Sequence, residues 1–230
     1  MTKWHPLILA PFLVVYALKL RPRALREALV PAGAILLGVI CVFGSFLVFG
    51  SLGNAVDRPY LSANALNFPW VMTHALRAAS PESFGGLAGG AAGYIETRSW
   101  RIALLPRALF AAAYAAALAA AWRKAASFEG LIEGSLVGCW AYFIFNFGVH
   151  ENHLFVVMLL AVARLGLDMR GMPLTAFLLL MGNVNLFLFY GVSGSGLGFS
   201  RVLAGVDGAL ALSIVNTAVF LAVWRRWMSS

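Results

Sequence analysis

The sequence predicts an all-α polytopic membrane bundle, and three observations carry the prediction. Apolar residues fall in continuous runs about twenty residues long, the length of a membrane-crossing helix. Hydrophobic residues make up 61% of the 230 and charged residues only 11%, where a soluble domain carries about 25% charged residues to cover its surface. Basic residues gather at the ends of the apolar runs, as in chains oriented by a membrane. A membrane β-barrel would need alternating segments of about ten residues, which continuous runs do not provide.

About seven transmembrane helices are expected in a single transmembrane domain spanning residues 1–230. They fall near 4–20, 29–49, 102–121, 130–148, 154–165, 172–190 and 207–224. Pro6, Pro11 and Pro31 lie near the starts of the first two, where a missing amide donor costs least. The fifth is short for a crossing. Either it starts deep, carrying the polar cluster before it below the water interface, or it is tilted or broken.

Orientation follows from the arginines and lysines. Lys19, Arg21, Arg23 and Arg26 follow the first segment, Arg123 and Lys124 the third, Arg164 and Arg170 the fifth, and Arg225 and Arg226 the seventh. With seven spans all four clusters share one side, which the positive-inside rule makes cytoplasmic. Three polar stretches then share the other side: the loop 50–101, the turn around His150, and the Gly/Ser loop 191–206. A loop of about fifty residues is too long for an idle connector. Its stretch 62–76 mixes amide side chains with Phe68, Trp70, Val71 and Leu76, which suits an outer-face interfacial segment. The glycine-rich stretch 83–93 after it reads as mobile.

The net charge is +8, yet no soluble basic face is present, so nucleic acid is excluded as a partner and membrane lipid is the expected one. Cys41 and Cys139 both lie inside apolar runs and read as small packing residues.

The run from Phe145 to His153 places His150, Glu151 and His153 between two apolar stretches. Ionisable groups at membrane depth are costly and mark functional sites. Three apart, the two histidines share a helix face and can present two imidazoles to an anion such as a lipid phosphate. In the bland alternative the same groups form a satisfied polar network pinning two helices. A metal is disfavoured, because the spacing is His-x-x-His and not the His-Glu-x-x-His of zinc proteases, and no further ligand set is evident; no cofactor is expected.

Asn64 and Asn67 can hydrogen-bond a sugar or phosphate beside Trp70, or merely cap a helix. Lys3 and His5 can reach the same surface or anchor the first segment at the interface. Asn183 and Asn185 read as amides bridging helices. The glycines around Ser195 are no phosphate-cradling loop, since no strand precedes them and no lysine follows.

The run Asn146-Phe147-Gly148-Val149-His150-Glu151-Asn152-His153-Leu154 resembles the Val-His-Glu-x-His-type signature of the GT-C membrane glycosyltransferases. The likeness is to those that take a glucosyl or mannosyl group from a polyprenyl phosphate. Lys3-Trp4-His5-Pro6-Leu7 through Pro11 is similar to that family's Lys-x-x-x-Leu…Pro helix start, and Ser62 to Trp70 to its Asn-x-x-Asn-Phe/Leu-x-Trp segment; the three occur in the family's order.

The resemblance implies a hexosyltransferase, with the site facing the periplasm or lumen of a bacterial inner membrane or the endoplasmic reticulum. It implies a lipid-linked sugar donor whose phosphate is held by His150 and His153, with Glu151 as orienting partner and Asn64, Asn67, Trp70 and Lys3 lining the outer cavity. Transfer would be inverting, assisted by stabilising the departing phosphate's charge. Imidazoles favour an anion most when protonated, so donor binding is expected to weaken as pH rises.

The sequence departs from the family in lacking an acidic loop after a first membrane helix. Asp57 and Asp207 have no such context, so the catalytic base is unassigned. On the resemblance this is a carboxy-terminal half, completed by a separate amino-terminal half or partner subunit. Two rivals stand beside it: a transporter or flippase component with a buried histidine relay, for which no paired repeats are found, and a non-catalytic membrane scaffold.

Overall fold

A chain in hydrocarbon must satisfy every backbone donor and acceptor from within, which restricts spanning structure to helices and closed barrels. The computed structural model describes residues 5–19, 60–124, 127–191 and 201–229, and is mostly helical. In chain order the helices are α1 (His5–Lys19), α2 (Phe68–Ala79), α3 (Pro81–Phe84), α4 (Trp100–Lys124), α5 (Phe128–Phe145), α6 (Leu154–Leu167), α7 (Met172–Tyr190) and α8 (Gly208–Ser229). Turns of 3-10 helix, Glu151–His153 and Met169–Gly171, lead into α6 and α7. The two-residue strands β1 (Val202–Leu203) and β2 (Val206–Asp207) pair antiparallel. Ala204 and Gly205 between them adopt positive φ, as the tight primed hairpin turns require.

Four helices among the described residues are long and apolar enough to cross a membrane: α4, α5, α7 with its leading 3-10 turn, and α8. That is the architecture of a helical membrane protein. The expected second segment, 29–49, lies outside the described residues. Helices α1 and α6 occupy the expected first and fifth segments. With 15 and 14 residues, they extend only about 21–23 Å, against a hydrocarbon core of roughly 30 Å.

Helix α5 is the hub. In its most apolar window 78% of residues are buried, against 17–28% for the other three long helices, which leave most of their apolar surface uncovered by the described residues. Trp140 and Phe145 of α5 meet Phe220 of α8 edge-on, with ring centroids 5.4 and 5.5 Å apart. Without a hydrophobic drive between helices in lipid, close approach depends on small residues. Gly134 and Gly138 of α5 form a notch filled by the Phe12 ring of α1, beside Tyr114 and Ala121 of α4. A Cβ on Gly138 would overlap that ring. Gly138→Ala is therefore expected to cost about 1–3 kcal/mol through overpacking, read as a lower unfolding midpoint in detergent; an unchanged midpoint would contradict this packing.

The helices sort the polar residues between two ends of the bundle. At one end Lys19 lies over the Trp122 ring and Lys124 donates to the Trp227 carbonyl, with Arg164 and Arg170 close by in sequence to the start of α7. At the other lie residues 60–97, the 146–153 turn, Tyr190 and Asp207. The glycine-rich stretch is laid out in turns by Arg77 of α2, which donates to the carbonyls of Gly85, Gly86 and Tyr94 at 2.8–2.9 Å.

Candidate functional site

Helix α5 ends where Asn146 turns extended and Gly148 takes φ 70°, a left-handed conformation that glycine adopts without strain. This is why the expected 130–148 segment stops at Phe145. The chain then runs beside residues 61–63: Gly148 donates to the Leu61 carbonyl at 3.2 Å, and Ala63 donates to Val149 at 3.0 Å. Leu61 also donates to Ile95 at 3.0 Å. Residues 60–63 are thereby stitched between two neighbouring stretches, a small sheet-like patch that the apolar pattern does not announce.

The histidines sit on a 3-10 turn rather than an α-helix. With three residues per turn, positions three apart lie directly over one another. The His150 and His153 rings are accordingly near-parallel, centroids 6.1 Å apart and planes at 29°. Their environments differ. His153 is buried at 8% exposure and its ring lies against Tyr142, centroid to centroid 5.4 Å. His153 Nδ1 is 3.1 Å from both the amide nitrogen and the carbonyl oxygen of His150. Unprotonated, that nitrogen accepts from the amide; protonated, it donates to the carbonyl. Either way the ring fixes the backbone of His150. The His150 side chain is more open, at 18%, with Nδ1 3.8 Å from Glu151 Oε2.

Glu151 extends the contacts of the turn beyond His150. Glu151, 13% exposed, interacts with the Tyr190 hydroxyl at the end of α7, and that hydroxyl is 3.5 Å from Asn64 Nδ2. His150, Glu151, Tyr190 and Asn64 thus form one polar chain. Arg107 of α4, exposed, lies 5.0 Å over the Phe147 ring, adding a cation beside the turn.

Of the other expected site residues, Asn64 belongs to this chain, and its φ of 56° is one that asparagine tolerates. Asn67 is fully buried. Its side-chain oxygen caps α2 by accepting from the Trp70 amide and also takes the Ser62 hydroxyl, while its Nδ2 donates to the Phe143 carbonyl. Trp70, at 1% exposure, packs edge-on against Phe189 at 4.8 Å and lies under the Arg201 guanidinium at 5.3 Å. The Asn67 side chain is fully used by these bonds, and the Trp70 ring is enclosed in the packing, its indole nitrogen without a hydrogen-bond partner among the described residues. Lys3 and Asp57 lie outside the described residues.

Asn185 bridges, but to a loop rather than to a helix: it donates to the Asn64 carbonyl and accepts from the Leu66 amide, both at 2.8 Å. Asn216 of α8 donates to the Leu66 carbonyl at 2.7 Å. Asn183 is exposed and, among the described residues, bonds its own helix through the Leu179 carbonyl. Asn185→Ala orphans a buried amide and a carbonyl, each costing about 1–3 kcal/mol. Hydrogen exchange across residues 61–67 should accelerate; unchanged protection there would contradict this anchoring.

Asp207 is wholly buried and paired twice with Arg201, at 3.0 and 3.2 Å. It also accepts from the Ala92 and Ala209 amides, and Arg201 donates to the Ala92 carbonyl. Its acceptors are committed to structure. Among the described residues no three His, Cys, Asp or Glu side chains are grouped to hold a metal.

Tyr190 and Arg107 escaped sequence reasoning as neighbours of the turn. Both lie far in sequence from His150 and Glu151, at no recognisable spacing, so no local motif joins them to the turn. No family model, curated protein or solved structure matches the chain.

Proposed function

We propose that this chain is the donor-holding portion of a GT-C-like glycosyltransferase, binding a polyprenyl-phosphate-linked sugar at the non-cytoplasmic end of a seven-span bundle. Residues 29–49 would supply a further span, and α2 would lie in the interface. In this reading His150 contacts the donor phosphate and Arg107 adds positive charge nearby. His153 acts as a positioning residue through the His150 backbone. Glu151, tied to Tyr190, sets the His150 side chain. Asn64 marks the direction of the sugar. Asp207, locked to Arg201, does not serve as the base, so transfer requires an acid from a further segment or a partner subunit.

The observation that carries this reading is the division of labour in the turn: one imidazole clamped in the packing, the other set beside it at an accessible edge. A binding titration of undecaprenyl phosphate against the purified chain in detergent tests it. The expected result is saturable binding that the phosphate-free polyprenol does not reproduce. Equal binding of the two lipids would mean that the chain recognises only the prenyl tail, and the donor assignment would fall.

The scaffold reading has one specific observation in its favour, the His153 clamp, which alone explains a histidine at that position by structure. It gives no reason for the second imidazole, His150, to stand more open than the first.

A further inference from the structure

A second polar site lies at the opposite end of the bundle. A cavity of about 480 Å³ opens between α5, α6, α7 and α8. Its walls are of two kinds. Leu136 and Val137 of α5, Leu174 of α7 and Val223 of α8 make an apolar side, while Arg164, Arg170 and Arg226 bring three guanidinium groups from three separate stretches of chain.

Two carboxylates share the cavity. Glu133 is taken by Arg164, with Nε to Oε1 at 2.7 Å, and Asp168 caps the 3-10 turn by accepting from the Arg170 amide at 2.9 Å. Arg170 and Arg226 are exposed and make no side-chain ion pair among the described residues. The arrangement is therefore a pair of uncommitted arginines at the mouth of a cavity with an apolar wall, at the ends of helices long enough to cross a membrane.

We infer that this cavity binds an anionic phospholipid, its headgroup phosphate held by Arg170 and Arg226 and an acyl chain laid against Leu136, Val137, Leu174 and Val223. Arginine suits the task because its planar fork grips two phosphate oxygens at once, and basic pockets between spanning helices are established sites for acidic headgroups. A free phosphate would use the arginines and leave the apolar wall bare; the wall selects a lipid. The site is independent of the histidine turn, so its test and the donor titration can fail separately.

Native mass spectrometry of the full chain, purified in mild detergent and offered equal phosphatidylglycerol and phosphatidylcholine, tests the inference. Phosphatidylglycerol should be retained preferentially. In the double variant R170Q/R226Q its affinity should fall about 30-fold, from the contribution of each basic residue to anionic-lipid attraction. R225Q, a change just outside the cavity lining, should retain wild-type preference, and a wild-type unfolding midpoint for the double variant shows that the bundle is intact. Equal retention of the two lipids, or unchanged preference in the double variant, would overturn the site. Displacement of phosphatidylglycerol by millimolar inorganic phosphate would overturn the lipid assignment and make the cavity a site for the free anion.

Discussion

Replacing His150 by alanine should weaken undecaprenyl phosphate binding about 10- to 100-fold, the value of one hydrogen bond to a charged group, while the unfolding midpoint moves little. The reason lies in the asymmetry of the turn. His150 is the more open of the two imidazoles, so its loss removes a contact with the ligand more than a contact within the fold. His153→Ala should do the reverse. It takes from the part-buried His150 amide its side-chain partner, a cost of about 1 kcal/mol, and binding falls only because the turn loosens. His153→Asn, which can still accept that hydrogen bond, should recover part of the midpoint. If His150→Ala binds the lipid like the wild type, the turn is packing and the donor reading is lost.

The largest stability effect is expected at Asp207. Its carboxylate has no exposed surface and gathers Arg201 with two backbone amides, tying residues 92 and 209 to the hairpin between α7 and α8. Asp207→Ala leaves the Arg201 guanidinium with the Ala92 carbonyl and the Trp70 and Phe189 rings but no counter-charge, and breaking one half of a buried pair costs about 3–5 kcal/mol. Removing both charges should hurt less than removing one, because the double change R201M/D207L leaves no unpaired ion. Unfolding midpoints of the two variants measure this directly. If Asp207→Ala were as stable as the wild type, Asp207 would have no structural commitment and would return as a candidate for the missing base.

Much of the helical frame was legible because lipid imposes a simple rule: backbone bonds are closed within a segment and side chains are apolar throughout. The reading at 172–190 coincides with α7, Met172–Tyr190. The reading at 207–224 stops short of the observed end at Ser229, because Arg225 and Arg226 read as a boundary although long basic side chains can reach the interface from within a helix. The loop 60–67 was illegible for a different reason. Its conformation is set by Asn185 and Asn216, more than a hundred residues away, and such partners leave no periodicity.

The site divides along the same line. The pairing of His150 with His153 follows from their spacing, whether the turn is α or 3-10. The unequal roles of the two imidazoles do not, because they depend on which ring the Tyr142 face and the His150 backbone enclose. Asn67 shows the converse. Its place three residues before Trp70 fits both a sugar contact and a helix cap, and only the Phe143 carbonyl and the Ser62 hydroxyl reveal how fully its side chain is used.

The central claim is that a lipid-linked phosphate sits at the turn after α5. A photoreactive undecaprenyl phosphate, activated on the purified chain and mapped by peptide mass spectrometry, tests it most directly. The account predicts adducts concentrated in the peptide carrying residues 145–153, competed away by unlabelled undecaprenyl phosphate and lost in His150→Ala. Label spread over the lipid-facing sides of α4 and α7, uncompeted and indifferent to His150, would contradict it.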